Sequence, residues 1–338
     1  MRPSVRVAIV FWATALPVLA GASHVYVSNE DGNSVTVIDT ATDTVVATVP
    51  VGKRPRGLQV SRDGAQLFVA LSGLPKCPPQ IPDEECEKLG RDVKADGIAV
   101  VDTKAHRLIS VYPSGSDPEQ FDLTPDGKRM FIANEDKALA TVLDVSSGKI
   151  VGSVPVGREP EGVRASPNGK WVLVTNESDN SVSIIDTQTL KVLNSVRVGL
   201  RPRDAAFTAN SETAYVSGEF DASVYRLGVP AGKPLDKLIQ LRKEARPMTV
   251  LLDEPQKRLF ISTGRGGTVA VVSLPDSKLV TEIKVGARPW GMVLSKDRKR
   301  LYTANGPSND VSVVDTKTLA VIKTIPVGKS PWGVALGQ

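Results

Sequence analysis

The sequence has few of the residues on which most catalytic and metal sites depend. Only two of its 338 residues are histidine and only two are cysteine. His24 and His106 lie in separate segments, so we expect no haem, zinc or copper site, since such sites usually need several histidine or cysteine ligands. We expect His24 to be a terminal strand residue and His106 a solvated turn residue. No Gly-x-Ser-x-Gly motif with a suitably placed histidine and no phosphate-binding glycine loop is present. The sequence therefore indicates no catalytic residue, metal or cofactor.

Aromatic residues, strongly basic tracts and helical periodicity are also scarce. Aromatics make up 5% of the chain, so Val, Ile, Leu and Ala must fill its core. Lysine and arginine together number 42, against 37 acidic residues. Without residues 1–22, which contain Arg2 and Arg6, the numbers would be 40 and 37. A nearly balanced charge without a basic cluster does not favour nucleic-acid binding.

Residues 1–22 have the order of a secretory signal peptide. Arg2 and Arg6 precede an apolar run from Val7 to Ala20, and Ala20-Gly21-Ala22 is an A-x-A cleavage motif. The run is short for a bilayer span and contains Pro17. We expect cleavage after Ala22, a mature domain of residues 23–338 without a membrane anchor, and export to a periplasm.

A proline-containing box recurs along the chain at a nearly constant spacing. The prolines are Pro55, Pro118, Pro160, Pro202, Pro247, Pro289 and Pro331, and they are 63, 42, 42, 45, 42 and 42 residues apart. The clear copies are VGKRPRG (51–57), VGREPEG (156–162), VGLRPRD (198–204), VGARPWG (285–291) and VGKSPWG (327–333), and the weaker ones are SGSDPEQ (114–120) and RKEARPMT (242–249). A period of about forty residues is typical of a repeat architecture. We expect the glycine to supply a turn with positive φ.

Two β-branched runs accompany each box. One resembles YVSN (26–29) and the other SVTVIDT (34–40), and each occurs seven times with the period-two pattern of a strand. The Asp of the second run would bond turn amides. The period resolves into four strands, which predicts an all-β, seven-bladed β-propeller of four-stranded antiparallel blades. Gly333–Leu336 would close the ring beside Val25–Asn29, Ser34–Asp39 and Thr44–Pro50.

The spacing of 63 marks a loop insertion at about residues 73–95. It is rich in proline and charge and carries both cysteines, Cys77 and Cys86. In an exported protein this spacing predicts a Cys77–Cys86 disulfide, which would pin the insertion as a cap on one face. A second departure, at residues 228–243, predicts a divergent but complete blade.

The combination of YVSN, VIDT and VGxRPxG resembles the YVTN-type β-propeller repeat family over residues 24–336. The signal peptide, seven copies and cysteine-containing insertion are similar to a periplasmic subgroup associated with pyrroloquinoline quinone-dependent alcohol oxidation. This resemblance implies an accessory protein in that setting rather than a reaction.

The residues beside the repeated prolines are the candidates for a ligand site, because the loop entering each innermost strand lies near one mouth of the channel. Two acidic blades are followed by basic ones, and two neighbouring blades carry tryptophan. An aromatic pair beside four guanidiniums suits a planar anionic ligand or an acidic partner surface. The candidate site residues are Glu159, Glu161, Arg201, Arg203, Arg246, Arg288, Trp290 and Trp332. The alternative is that these are solvated side chains of a repeated loop.

The sequence favours a non-catalytic binding or scaffold propeller over two alternatives. Its partner would be a quinoprotein dehydrogenase, a cytochrome or a small anionic ligand, and we expect the propeller to be a monomer. One alternative is a lactonase-like propeller that acts on a sugar lactone or another small anion. The other is direct binding of pyrroloquinoline quinone, as in the larger eight-bladed quinoprotein dehydrogenases.

Overall fold

The computed structural model describes residues 23–75, 85 and 90–337, and the expected signal peptide and both cysteines lie outside these residues. The described chain forms seven four-stranded sheets, each an antiparallel meander. This confirms the predicted seven-bladed β-propeller. Within the described residues, no helix is long and apolar enough to span a membrane.

Each blade runs from an innermost strand to an outermost one, and the blades are numbered around the ring. Blade 1 contains β28 (Pro331–Leu336), β1 (His24–Asn29), β2 (Ser34–Asp39) and β3 (Thr44–Pro50). Blade 2 contains β4 (Pro55–Val60), β5 (Gln66–Leu71), β6 (Gly97–Asp102) and β7 (Arg107–Tyr112). Blade 3 contains β8 (Pro118–Leu123), β9 (Arg129–Asn134), β10 (Leu139–Asp144) and β11 (Lys149–Pro155). Blade 4 contains β12 (Pro160–Ala165), β13 (Trp171–Asn176), β14 (Ser181–Asp186) and β15 (Lys191–Arg197).

The remaining three blades repeat this order. Blade 5 contains β16 (Pro202–Phe207), β17 (Thr213–Gly218), β18 (Ser223–Gly228) and β19 (Lys233–Gln240). Blade 6 contains β20 (Val250–Asp253), β21 (Arg258–Ser262), β22 (Thr268–Ser273) and β23 (Lys278–Lys284). Blade 7 contains β24 (Pro289–Leu294), β25 (Arg300–Asn305), β26 (Asp310–Asp315) and β27 (Ala320–Pro326). Short 3-10 turns lie at Val93–Ala95, Glu135–Lys137, Glu254–Gln256 and Gly264–Gly266.

The ring closes through the C-terminal strand, as the sequence predicts. β28 pairs antiparallel with β1, with Leu336 opposite Val25 and Ala335 opposite Tyr26. Blade 5 is complete despite its divergent sequence, because β19 pairs along β18.

The core lies between neighbouring blades and uses roughly one large side chain per blade. The same second-strand position carries Tyr26, Phe68, Phe131, Leu173, Tyr215, Phe260 and Tyr302, all of them buried. Valine, isoleucine and alanine pack around them, as in the cluster that joins Tyr26 and Val35 of blade 1 to Leu67 and Val69 of blade 2. This placement explains how a chain poor in aromatics fills seven interfaces.

The repeated aspartate of the third strand is structural, as expected. In Asp186, Oδ1 accepts hydrogen bonds from the amides of Gln188 at 2.9 Å and Thr189 at 2.7 Å. Asp39 and Asp315 bond their own turns in the same way. These bonds hold the hairpin between the two outer strands.

The glycine of the box does not supply a positive φ in general, which corrects our expectation. Gly52 and Gly115 have φ 136° and 79°, but the glycines at the corresponding positions of four other boxes do not have positive φ. In six boxes the residue before the proline takes the left-handed conformation. The glycine is needed for close approach. A Cβ on Gly286 would lie 2.7 Å from the side chain of Asn305 at the end of β25.

Candidate functional site

In six of the seven blades, the register of the two innermost strands brings two loops together at one face of the channel. In six blades the proline of the box pairs with the last residue of the second strand, as Pro160 does with Asn176. The residues that flank the proline therefore lie beside the residue that follows the second strand. We call this face the mouth, and the residues directly after the prolines form its ring: Trp332, Arg56, Glu119, Glu161, Arg203, Met248 and Trp290.

The two tryptophans of the ring are in contact. Their ring centroids lie 5.1 Å apart with an interplanar angle of 31°. Trp332 is 4% exposed, whereas Trp290 is half-buried. Arg288 lies 4.9 Å and Arg203 lies 5.4 Å from the centroid of the Trp290 ring, so two guanidiniums lie against this half-buried indole.

Arg203 and Arg201 of blade 5 are held by carboxylates. Nε of Arg203 lies 2.7 Å from Glu219, its Nη1 lies 3.4 Å from Glu161, and it also pairs with Glu177. Nη2 of Arg201 lies 2.7 Å from Glu177. Although burial alone lowers the pKa of Arg203, Glu177, Glu161 and Glu219 together raise that pKa above its ordinary value. These two guanidiniums, expected to meet an anion, are neutralised within the protein.

The same arrangement recurs between blades 1 and 2. Glu30 Oε1 lies 3.1 Å from Nη2 of Arg54 and 3.3 Å from Nε of Arg56. Arg56 also pairs with Glu119 and stacks at 5.7 Å on Trp332. In both places a glutamate after the second strand is paired by the arginines of the next blade.

The basic side of the mouth lies on blades 6 and 7. Among the described residues, Arg246, Arg265 and Arg288 form no ion pair with a carboxylate. Arg246 lies 5.3 Å from the ring of Phe220, a residue of blade 5 that is 54% exposed. Burial, together with the charge of Arg203, lowers the pKa of Arg288. Within the described residues, these three arginines are therefore the guanidiniums of the mouth that no carboxylate pairs.

The acidic side centres on blade 3, which carries three neighbouring carboxylates. Ligand atoms of Asp117, Glu119 and Glu135 all lie within 4.8 Å of one another. The amide of Glu135 donates to the carbonyl of Asp117 at 3.2 Å, which fixes the loop ends together. Burial, followed by the charge of Glu161, raises the pKa of Glu135 to about 7.

The glutamates after the second strands are the mouth residues that sequence analysis missed. They are Glu30, Glu135, Glu177 and Glu219. All of them except Glu135 form ion pairs with arginines that flank the repeated prolines. Burial raises the pKa of Glu177 well above its usual range, against the effect of Arg203. A signal was present, because the second-strand runs continue as YVSNE, FIANE, VTNE and SGE.

Glu159, expected to be an acidic site residue, takes no part in these pairs, and it is half-buried at the edge of the mouth.

The insertion reaches the same face. Arg91 pairs with Asp96 at 2.5 Å and also with Asp136, which anchors the end of the insertion beside blade 3. The predicted Cys77–Cys86 disulfide lies outside the described residues.

The two histidines are not isolated, contrary to expectation. Their rings meet edge-on at 5.5 Å, because His24 begins β1 and His106 lies in the β6–β7 turn of the neighbouring blade. Both are half-buried at the face opposite the mouth. Burial, followed by His106, lowers the pKa of His24. Two cavities of about 230 and 450 Å³ open on that same face, and both are lined by Arg62 and Leu123.

Comparisons with known proteins place the chain among β-propellers. Residues 91–218 match the Cytochrome D1 heme domain family. No curated protein matches the chain. A Kuenenia stuttgartiensis hydrazine synthase chain is 22% identical with a TM-score of 0.71, covering 91% of this chain and 99% of that one. A candidate 6-phosphogluconolactonase of Bacteroides fragilis is 17% identical with a TM-score of 0.74, covering 95% and 100%. A Lactobacillus plantarum protein is 15% identical with a TM-score of 0.75, covering 94% and 99%. These likenesses show the fold.

The residues of the mouth do not fit a haem. Haem iron takes an axial imidazole, thiolate, thioether or phenolate. The ring presents carboxylates, guanidiniums and indoles, and its thioether, Met248, is 2% exposed. His106, the only histidine of the matched segment, lies at the opposite face.

Proposed function

We propose that the chain is a non-catalytic binding propeller that takes a planar anionic ligand at the basic side of the mouth. It would act in the periplasm as an accessory to pyrroloquinoline quinone-dependent alcohol oxidation, with a quinoprotein dehydrogenase or cytochrome as its partner. The observation that carries the proposal is Arg288, a half-buried guanidinium that stacks on Trp290 and has no carboxylate partner among the described residues.

The chemistry of this sector suits a flat anion. A positive charge without a partner in a partly buried site is unfavourable, and an anion bound there would relieve that cost. Trp290 and the exposed Phe220 offer apolar ring surface beside Arg288 and Arg246. Guanidiniums bind carboxylates through paired hydrogen bonds, and aromatic rings stack on flat ligands. An aromatic polycarboxylate therefore matches the sector better than a compact inorganic anion.

The test uses pyrroloquinoline quinone, an aromatic tricarboxylate, as the probe. Its binding to the full mature chain is measured by calorimetry and by quenching of tryptophan fluorescence. We expect Arg288→Met and Trp290→Leu each to weaken binding by about 10- to 100-fold, the effect of truncating an anchor residue. Arg62→Met, at the opposite face, is the matched control and should leave affinity unchanged. Equal affinity in all three variants would contradict the site.

Export is part of the proposal and has its own test. The mature protein recovered from the periplasm should begin at Ser23, and it should lose two thiols on disulfide formation between Cys77 and Cys86. Recovered protein that retains Arg6, or that has two thiols open to alkylation without reduction, would contradict this part.

A lactonase is the second candidate, and Glu135 is the observation that favours it. A carboxyl group whose pKa is about 7 is suited to general base catalysis near neutral pH. Hydrolysis of δ-gluconolactone by the wild-type chain, lost in Glu135→Gln, would replace the binding proposal. We expect no turnover above the buffer rate.

A further inference from the structure

The acidic side of the mouth departs from an arrangement that the repeat shows at two other junctions between blades. Glu30 of blade 1 faces Arg54 and Arg56 of blade 2, and Glu177 of blade 4 faces Arg201 and Arg203 of blade 5. In each case the arginines flank the box proline of the following blade.

Glu135 of blade 3 meets the opposite charge at those two positions. The box of blade 4 reads Glu159-Pro160-Glu161, so carboxylates stand where the other pairs have guanidiniums. Among the described residues, the Glu135 side chain forms no ion pair. The repeat therefore places a glutamate here without the cation that its counterparts receive.

Two further carboxylates converge on Glu135 and are buried with unpartnered oxygens. Asp117 is 1% exposed; Ser72 donates to its Oδ1 at 2.5 Å, while its Oδ2 has no hydrogen-bond partner. Glu119 is fully buried; Arg56 pairs with its Oε1, and its Oε2 has no partner. A buried carboxylate oxygen without a partner costs free energy that a ligand could recover.

We propose that Asp117, Glu119 and Glu135 bind a divalent cation, Ca²⁺, at the blade-3 side of the mouth. The three residues offer oxygen donors within 4.8 Å of one another, held by the paired strands β8 and β9. Arg56 balances one of the three charges, so two negative charges remain for the ion. This site is separate from the basic sector of blades 6 and 7 and does not depend on the proposed anion.

Calcium fits the donor set better than other common cations. Oxygen ligands without imidazole or thiolate favour hard cations over zinc or copper. Two donors are fixed in a buried setting and only Glu135 reaches solvent. Ca²⁺ tolerates such irregular carboxylate sites, whereas Mg²⁺ requires near-octahedral geometry and keeps several waters.

The test is calorimetric titration of Ca²⁺ into the full chain after treatment with EDTA. We expect one ion per chain, a higher melting temperature with Ca²⁺, and at least 10-fold weaker binding in Glu135→Gln. Terbium(III), a calcium substitute, should show luminescence on tryptophan excitation, because Arg56 links the trio to Trp332.

A gain-of-charge variant separates a bound ion from general electrostatics. Glu159→Arg places a guanidinium where Arg54 and Arg201 stand relative to Glu30 and Glu177, so it should compete with Ca²⁺ and weaken binding. Asp297→Asn, in a turn at the opposite face, should leave binding unchanged. Absence of Ca²⁺ binding to wild-type protein, equal affinity in Glu135→Gln, or binding of Mg²⁺ but not Ca²⁺ would overturn the proposal.

Discussion

Trp290 of blade 7 stacks against Trp332 of the closing strand, with 5.1 Å between ring centroids. The contact joins the last complete blade to the blade that combines both ends of the described chain. The aromatic part of the mouth therefore depends on ring closure, and the two indoles differ in burial although they occupy equivalent repeat positions.

This difference predicts unequal effects of truncation. Trp332 is 4% exposed, so Trp332→Ala should leave a cavity and cost about 3–5 kcal/mol of unfolding free energy. Trp290 is half-buried, and Trp290→Ala should cost about 1 kcal/mol. Denaturant unfolding of both variants measures the two values. A larger loss in Trp290→Ala would make Trp290 a core residue and would weaken the ligand-site proposal.

Arg203 should be among the most sensitive positions of the mouth. Arg203→Met would leave Glu161, Glu177 and Glu219 without their shared cation, at a cost of about 3–5 kcal/mol. The double variant Arg203→Met/Glu177→Gln should recover part of this loss because one buried charge is removed with its partner.

The exposed Arg158–Asp179 pair supplies the matched control for Arg203. Its atoms lie 2.7 Å apart, but the Arg158 side chain is 72% exposed. Arg158→Met should change the unfolding free energy by less than about 1 kcal/mol. Similar losses in Arg158→Met and Arg203→Met would show that burial does not control the strength of the pair.

Gly286 is expected to be needed for packing rather than for conformation. A Cβ there would lie 2.7 Å from the Asn305 side chain, so Gly286→Ala should cost about 1–3 kcal/mol. Gly306 follows the same strand, and its nearest neighbour to a Cβ would be 3.6 Å away. Gly306→Ala should therefore be nearly neutral. Thermal unfolding of the two variants compares them directly.

The His24–His106 contact should make stability depend on pH. Burial and His106 lower the pKa of His24, while Asp39 opposes them. Below about pH 6.5, the ordinary pKa of histidine, the unfolded chain binds more protons than the folded chain, so the unfolding free energy falls as the pH decreases.

Denaturant unfolding between pH 7 and pH 5 measures this dependence. His24→Gln should flatten it, and His106→Gln should weaken it by removing the like charge. An unchanged slope in His24→Gln would assign the pH dependence to other groups.

Strand order, blade number and ring closure could be predicted from the sequence because each rests on a period repeated seven times. The proximity of Trp290 and Trp332 could be predicted as well, because each directly follows a repeated proline in neighbouring blades. The partners of Arg201 and Arg203 could not be predicted. Glu177 and Glu219 follow a different strand from these arginines, and the register of the paired strands is what brings them together. The His24–His106 contact also depends on adjacency between blades, which sequence distance conceals.

Closure of the ring by β28 should contribute more stability than an ordinary strand. Deletion of residues 331–338 removes Trp332, the pairing of Leu336 with Val25, and the innermost strand of blade 1. It would expose the edge of β1 and the interfaces with blades 2 and 7, so we expect a large fall in melting temperature and aggregation. Deletion of Gln338 alone is the control, because the backbone N–H of Gly337 would still donate a hydrogen bond to the His24 carbonyl, at 2.7 Å. A chain without residues 331–338 that melts like the full-length protein would mean that the closing blade is held by β1–β3 alone.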